Sequence, residues 1–125
     1  MPRPVVRPGD VVRLQLPDSN PPGRYKFCLC VCNQDWLFFI INTDRSRGAP
    51  ADSQISIRQM DFPFLLYDSY LDVSKPKRIP PDAVLAGENC GKPLKHALIL
   101  LRATIIEQPY LAERYLKKVR DNFPS

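Results

Sequence analysis

The amino-acid sequence predicts a mainly β fold with C-terminal helices: a small antiparallel barrel of about five strands, packed by one or two α-helices. The first observation is the balance of 14 prolines against 5 glycines in 125 residues. Proline fixes φ and cannot donate a hydrogen bond to a helix or a sheet ladder, so we expect many short elements joined by rigid connections. The second is that short apolar runs dominate up to residue 79, and a helical hydrophobic period begins only after residue 91.

The length and composition indicate one domain with its own hydrophobic core. The chain is 44% hydrophobic, 25% charged and 10% aromatic, which is ordinary for a globular domain. We therefore expect a single domain over residues 1–125, with the barrel at about 7–80 and the helical segment at about 92–123. No internal repeat divides the chain.

Five apolar runs are bounded by turn-forming residues and are predicted to be strands. The second is apolar throughout, which is typical of a strand buried on both faces. Only Asn33-Gln34-Asp35 separates it from the third, so these two strands form a hairpin. Residues 77–79 are expected to pair briefly before Pro80-Pro81. The five predicted strands cover residues 11–16, 27–32, 36–42, 55–57 and 68–73.

Two amphipathic helices follow. Gly91-Lys92-Pro93 is a helix-start signal, with proline in the first turn. Pro109 interrupts the pattern, and a second helix continues to about Phe123. One apolar stripe on the first helix contains Leu94, Ala97, Leu98, Leu101 and Ile105.

The charge and hydropathy indicate a cytoplasmic protein that does not enter a membrane. The longest apolar run, residues 36–41, is far shorter than the roughly 20 residues that span a bilayer, and the N-terminus lacks a signal-peptide core. The formal net charge of +5 suits an anionic partner such as nucleic acid, although it also suits a soluble domain without one.

The cysteines Cys28, Cys30 and Cys32 alternate along one predicted strand, so their thiols are expected to share one face. Buried, reduced thiols are the favoured interpretation, which again fits the cytoplasm. A soft-metal or redox site formed by these three thiols and a disulfide to Cys90 are the alternatives. We expect no metal and no cofactor.

Five segments in this order resemble the PemK/MazF family of growth-inhibitor toxins, whose fold is an SH3-like barrel with a C-terminal helix. The likeness extends over roughly residues 7–107. It includes an opening Gly-Asp-hydrophobic strand, a basic turn leading into the second strand, and a third strand that ends in threonine. An apolar-x-Asp-Ser strand completes it, together with Gly91-Lys92-Pro93-Leu94, which resembles the family's Gly-x-Leu helix start. These segments are residues 9–12, 23–31, 38–43, 66–71 and 91–94.

This resemblance implies a metal-independent endoribonuclease that acts on single-stranded RNA, forms a homodimer and is inhibited by a cognate antitoxin protein. Arg24 would stabilise charge on the scissile phosphate and Thr43 would supply a hydroxyl, while the RNA's own 2′-OH attacks. The family's basic turn runs Arg-Arg-Pro, whereas this chain has Arg24-Tyr25-Lys26.

Four further residues are candidates for RNA binding, and three of them have a structural alternative. Lys26 continues the basic turn, Arg45 and Arg47 flank a loop near Thr43, and Trp36 offers a ring on which a base can stack. The two arginines also fit an ordinary charged loop, and Trp36 fits hairpin packing.

Several other residues also have an interpretation that is structural rather than functional. Arg24 also fits a solvated loop cation, and Thr43 also fits a strand end, where threonine is favoured. Asp68-Ser69 is expected to cap a turn rather than to take part in catalysis. The sole histidine, His96, is expected at or near the surface.

A second class of function stays open. SH3-like barrels carry many unrelated activities, so a non-catalytic barrel that binds nucleic acid or a protein partner fits the same sequence. The sequence contains no P-loop, no Gly-x-Ser-x-Gly and no His-Glu-x-x-His motif.

Overall fold

The computed structural model describes residues 6–17, 23–44 and 48–125. Over these ranges the protein is mainly β, with one six-stranded antiparallel sheet and three α-helices. A short 3₁₀ turn at Ala51–Ser53 precedes the fourth strand. The strands are β1 Val11–Leu16, β2 Arg24–Cys32, β3 Leu37–Asn42, β4 Gln54–Ile57, β5 Ser69–Arg78 and β6 Glu88–Gly91, and the helices are α1 Pro81–Leu85, α2 Lys95–Ile105 and α3 Glu113–Asn122.

The strand order is β4-β5-β3-β2-β1-β6, and every paired strand is antiparallel. The predicted mainly β class, the first strand and the hairpin of the second and third strands are confirmed. Strand β6 and helix α1 were not predicted. Strand β6, Glu-Asn-Cys-Gly, carries no β-branched or aromatic residue, and it forms because β1 offers it an open edge.

The sheet is buried on both of its faces near the centre. The main cluster lies on one face, where Leu29, Val31 and Phe39 pack with α2 and α3. The second cluster lies on the other face, where Leu14, Phe38 and the residues after β5 pack together. The interpretation of the second strand as buried on both faces is confirmed, because Cys28 to Cys32 are all buried.

The prediction that three thiols share one face is wrong. Cys28 and Cys30 lie in the second cluster, whereas Cys32 lies in the main cluster. The pairing of β2 with β3 shifts register between Cys30 and Cys32, so a β-bulge turns Cys32 to the opposite face. All four cysteines are free thiols, and only Cys90 lies outside the buried class.

Helices α2 and α3 cover the main cluster. The stripe on α2 is confirmed for Ala97, Leu98, Leu101 and Ile105, which are all buried. Leu94 is the residue before the helix and is 43% exposed, so it lies off the stripe. Among the described residues, no helix is long and apolar enough to cross a bilayer.

A wide bulge separates two parts of β5. Phe38 of β3 pairs with Lys77, but Ile40, only two residues later, pairs with Asp72. Residues 73–76 therefore stand opposite Phe39 alone. Pro76 lacks an N–H and cannot complete a regular ladder, which accounts for part of this irregularity.

Asp10 ties the start of β1 to the end of β6. Its carboxylate accepts hydrogen bonds from the backbone N–H of Arg7 at 2.9 Å and from Asn89 Nδ2 at 3.1 Å, and it pairs with Lys92 Nζ at 2.7 Å. Burial of Asp10 opposes ionisation, but these bonds outweigh it and lower the pKa of Asp10.

Candidate functional site

A cavity of about 200 Å³ lies where β2 begins and β3 ends. Because the two strands are antiparallel, the start of β2 and the end of β3 lie at the same end of the sheet. The segment from Leu65 to Ser69, which leads into β5, forms a further wall of the cavity beside the two strands. The lining residues are Arg24, Tyr25, Lys26, Phe27, Ile41, Asn42, Thr43, Leu65, Leu66, Tyr67 and Ser69.

Arg24 and Thr43, the two residues predicted to act on the phosphate, line this same cavity. Arg24 is the first residue of β2 and Thr43 directly follows β3. Both side chains are exposed, so a ligand from solvent can reach them. The arrangement places a planar guanidinium and a hydroxyl around one small space.

Lys26 adds a second cation to the cavity. Its Nζ donates a hydrogen bond to Asn42 Oδ1 at 3.0 Å, which fixes the ammonium group over the end of β3. Burial, followed by repulsion from Arg24, lowers the pKa of Lys26. The cavity therefore holds a lysine that gives up its proton more readily than a solvated lysine.

Three large side chains form an exposed rim. Tyr25 is 54% exposed, Leu66 81% and Tyr67 67%. The guanidinium carbon of Arg13 lies over the Tyr25 ring, 4.0 Å from its centroid, and holds that ring in place. Exposed rings beside a cationic cavity are the arrangement on which unpaired bases stack.

The segment from Leu65 to Tyr67 is held in place on both of its sides along the chain. Phe27 contacts Phe64 with ring centroids 5.7 Å apart, which links the cavity floor to the main cluster. Asp68 Oδ1 accepts the backbone N–H of Gln59 at 2.8 Å, and Ser69 Oγ donates to the Tyr67 carbonyl at 2.9 Å. The expectation that Asp68-Ser69 caps a turn through bonds to the backbone is confirmed.

The described residues that line the cavity include no carboxylate, imidazole or thiol. The described lining residues that can exchange a proton there are a lysine, two tyrosines, a threonine and a serine. Over the described residues as a whole, no group of three or more His, Cys, Asp or Glu side chains is placed to hold a metal ion. Burial raises the pKa of Cys28 and of Cys30 to about 12, so both stay protonated near neutral pH.

Some predicted residues lie elsewhere. Trp36 stands in the β2–β3 turn, at the far end of β3 from Thr43, and packs against the second cluster. Its carbonyl accepts the Ile79 N–H at 3.0 Å. Arg45 and Arg47 lie outside the described residues, so their predicted role stays a prediction. His96 is exposed as expected, and its Nε2 lies 3.0 Å from Asp61 Oδ1.

Asn42 and the segment from Leu65 to Tyr67 are site residues that the sequence did not indicate. Asn42 had a usable signal, because an antiparallel hairpin that pairs Phe27 with Ile41 also places Lys26 opposite Asn42. The segment from Leu65 to Tyr67 had none, since a long-range return of the chain brings it to the cavity.

No protein-family model matches the chain, and no curated protein matches it.

Proposed function

We propose that this chain is a metal-independent endoribonuclease of the PemK/MazF type that cleaves single-stranded RNA. The observation that carries the proposal is the shared cavity of Arg24 and Thr43. Its dimensions suit a phosphate with parts of its neighbouring sugars, and its cations suit the phosphate's charge.

The reaction uses the RNA's own 2′-OH as nucleophile. The 2′-oxygen attacks the adjacent phosphorus and loses its proton to water, the bond from phosphorus to the 5′-oxygen breaks, and that oxygen takes up a proton from Lys26. The products are a 2′,3′-cyclic phosphate and a free 5′-hydroxyl. Arg24 binds the developing charge on the equatorial oxygens through its planar fork, and Thr43 donates a further hydrogen bond.

Lys26 supplies the proton for the leaving 5′-oxygen in this scheme. Burial of Lys26, followed by repulsion from Arg24, lowers its pKa, so its ammonium group releases the proton more easily, which is the property required of a general acid. Metal independence in the proposal is supported by the donor set, because the described lining residues lack the side chains that usually bind divalent cations.

The proposal includes an SH3-like barrel for the sheet. The consecutive antiparallel order of β1, β2 and β3 supports it, as do the register shifts in three of the five strand pairings. Bulges of this kind are over-represented where sheets coil into barrels.

A cleavage assay tests the function. Purified protein is incubated with single-stranded RNA in excess chelator, and Arg24→Ala and Thr43→Ala are compared with Arg58→Ala and Thr104→Ala, which lie away from the cavity. We expect the two cavity variants to lose about 100-fold or more in rate while the controls cut normally. Equal cutting by all five proteins, with circular dichroism unchanged, would contradict the assignment.

A second candidate is non-catalytic binding of single-stranded nucleic acid at the same cavity. The absence of a carboxylate or imidazole base among the described lining residues favours it. It predicts salt-sensitive binding to RNA with no cleavage products in the same assay.

The homodimer and the antitoxin belong to the proposal as well. Light scattering after gel filtration is expected to give twice the chain mass of 14.3 kDa. A mass of 14.3 kDa at every concentration tested would contradict the dimer.

A further inference from the structure

A groove of about 880 Å³ lies between the bulged part of β5 and helix α3. Residues 73–76 have a single opposing residue on β3, so this stretch departs from the regular ladder. Helix α3 forms the other wall. The lining residues are Asp35, Leu37, Ile40, Asp72, Ser74, Lys75, Pro76, Lys77, Arg78, Arg114, Tyr115 and Lys118.

The groove concentrates positive charge. Its lining contains five lysines and arginines and two aspartates, which gives a formal charge of +3. The whole chain has a formal net charge of +5. Both aspartates are engaged within the protein. Asp72 Oδ1 accepts Gln54 Nε2 at 3.0 Å and Ser74 Oγ at 2.6 Å, and Asp35 pairs with Lys118 at 2.6 Å.

One wall of the groove also carries a stacking surface. The guanidinium carbon of Arg114 lies over the Tyr115 ring, 4.7 Å from its centroid. Arg114 Nη2 donates to Tyr115 Oη at 3.0 Å, which restrains the guanidinium on the ring. Guanidinium planes and aromatic rings are the surfaces on which unpaired bases stack.

We propose that this groove binds the backbone of single-stranded RNA beyond the cleaved phosphate, with one base stacked on Arg114. The proposal rests on the proposed function insofar as it takes RNA as the ligand. Leu37 borders the groove and Thr43 borders the cavity, and the intervening β3 spans about 20 Å, which is a length that a single strand of several nucleotides can cover.

The stacking pair favours a single strand over the two other polyanions that such a charge attracts. A duplex covers the faces of its bases, and an acidic peptide has no base to stack. Both still interact with five cations through charge alone, so each is an outcome that the experiment must separate.

The experiment compares two triple variants with the same change in net charge. The groove variant is Lys75→Gln, Arg78→Gln and Arg114→Gln, which leaves the Asp35–Lys118 pair intact. The control variant is Arg7→Gln, Arg58→Gln and Lys95→Gln, three exposed cations that line neither site. The probe is a fluorescent 2′-O-methyl 12-mer, which has no free 2′-OH and cannot be cut.

Fluorescence anisotropy is measured over a range of salt. Each phosphate contact on a single strand contributes about 0.7 to the slope of log affinity against log salt, so losing three contacts flattens the slope by about 2. We expect the groove variant to lose about 100-fold in affinity at 0.1 M salt, and the control variant to stay within a few-fold of the parent.

The proposal is overturned if the groove variant binds the 12-mer like the parent, or if both variants weaken equally. It is overturned too if the groove variant weakens only for duplex RNA or for polyglutamate, which would identify those polyanions as the ligand. Absence of RNA cleavage by the parent, with the groove effect present, defeats the nuclease proposal alone. Cleavage with no groove effect defeats the groove proposal alone.

Discussion

The cavity at the β2–β3 end and the groove beside β5 are both cationic, but they differ in size and in chemistry. The cavity is about 200 Å³, and its described lining combines two cations with two aliphatic hydroxyls and two tyrosines, without any carboxylate. The groove is about 880 Å³ and contains two engaged aspartates and five cations. A small cavity lined by cations and hydroxyls suits chemistry on one phosphate, whereas a larger groove with five cations suits affinity for several phosphates.

The largest expected contrast is between one arginine of each site. Arg24→Lys keeps the charge but loses the planar fork, so we expect the single-turnover cleavage rate to fall about 100-fold. Arg78→Lys also replaces a guanidinium with an ammonium group, but in the groove a point charge serves a phosphate contact nearly as well. The cleavage rate of this variant should stay within twofold of that of the parent. Similar rates for the two variants would remove the distinction between the sites.

Salt is expected to act on the groove rather than on the chemical step. Raising salt from 50 to 200 mM should increase KM about 20-fold when three phosphates are neutralised, with kcat unchanged. In the groove variant the same change should raise KM only a few-fold. A salt effect confined to kcat would contradict this division.

The lowered pKa of Lys26 gives the cavity its own pH dependence. If the protonated ammonium donates to the leaving oxygen, cleavage falls as pH rises through that pKa, which lies below the ordinary lysine value of 10.5. Lys26→Gln should cut about tenfold more slowly and lose this alkaline limb, while Lys75→Gln should keep it. An unchanged limb in Lys26→Gln would exclude Lys26 as the acid.

The smallest expected effect on cleavage comes from Asp10, which lines neither site. Its folded pKa lies below the ordinary 3.8, so its stabilising effect is complete above pH 3.8 and is lost as pH falls through the folded pKa. Asp10→Asn should lower the free energy of unfolding by about 1–3 kcal/mol at pH 7.

Chemical denaturation at a series of pH values checks the Asp10 prediction. The difference in unfolding free energy between parent and variant should shrink below pH 3.8, and kcat at low temperature should match the parent. A difference that is constant with pH would show that the Asp10 charge is not the source.

The sequence predicted the elements whose signals are local. Strand β1 and the β2–β3 hairpin follow from alternating or continuous apolar residues between turn formers, and α2 follows from its stripe. Strand β6 could not be predicted this way, because it depends on the open edge of β1 rather than on its own residues. The face of Cys32 was missed for a related reason, since one bulge reverses the alternation.

The part of the candidate site that depends on the β2–β3 hairpin could be predicted from the sequence, and the part that depends on long-range packing could not. Placing Arg24 near Thr43 requires only the antiparallel hairpin and its register, both of which the sequence contains. The wall from Leu65 to Tyr67 and the whole β5–α3 groove depend on long-range packing. The cations Lys75, Lys77 and Arg78 are visible in the sequence, but only the structure shows that Arg114 and Tyr115 line the same groove.

A double-mutant cycle on Arg24 and Thr43 tests most directly whether the two residues act on one phosphate. Single-turnover cleavage is measured for the parent, Arg24→Ala, Thr43→Ala and the double variant. Substitutions of residues that stabilise the same transition state have non-additive effects on its free energy. We therefore expect the fold-reduction in rate of the double variant to be at least ten times smaller than the product of the two single fold-reductions. Two effects that multiply in full would contradict the shared site.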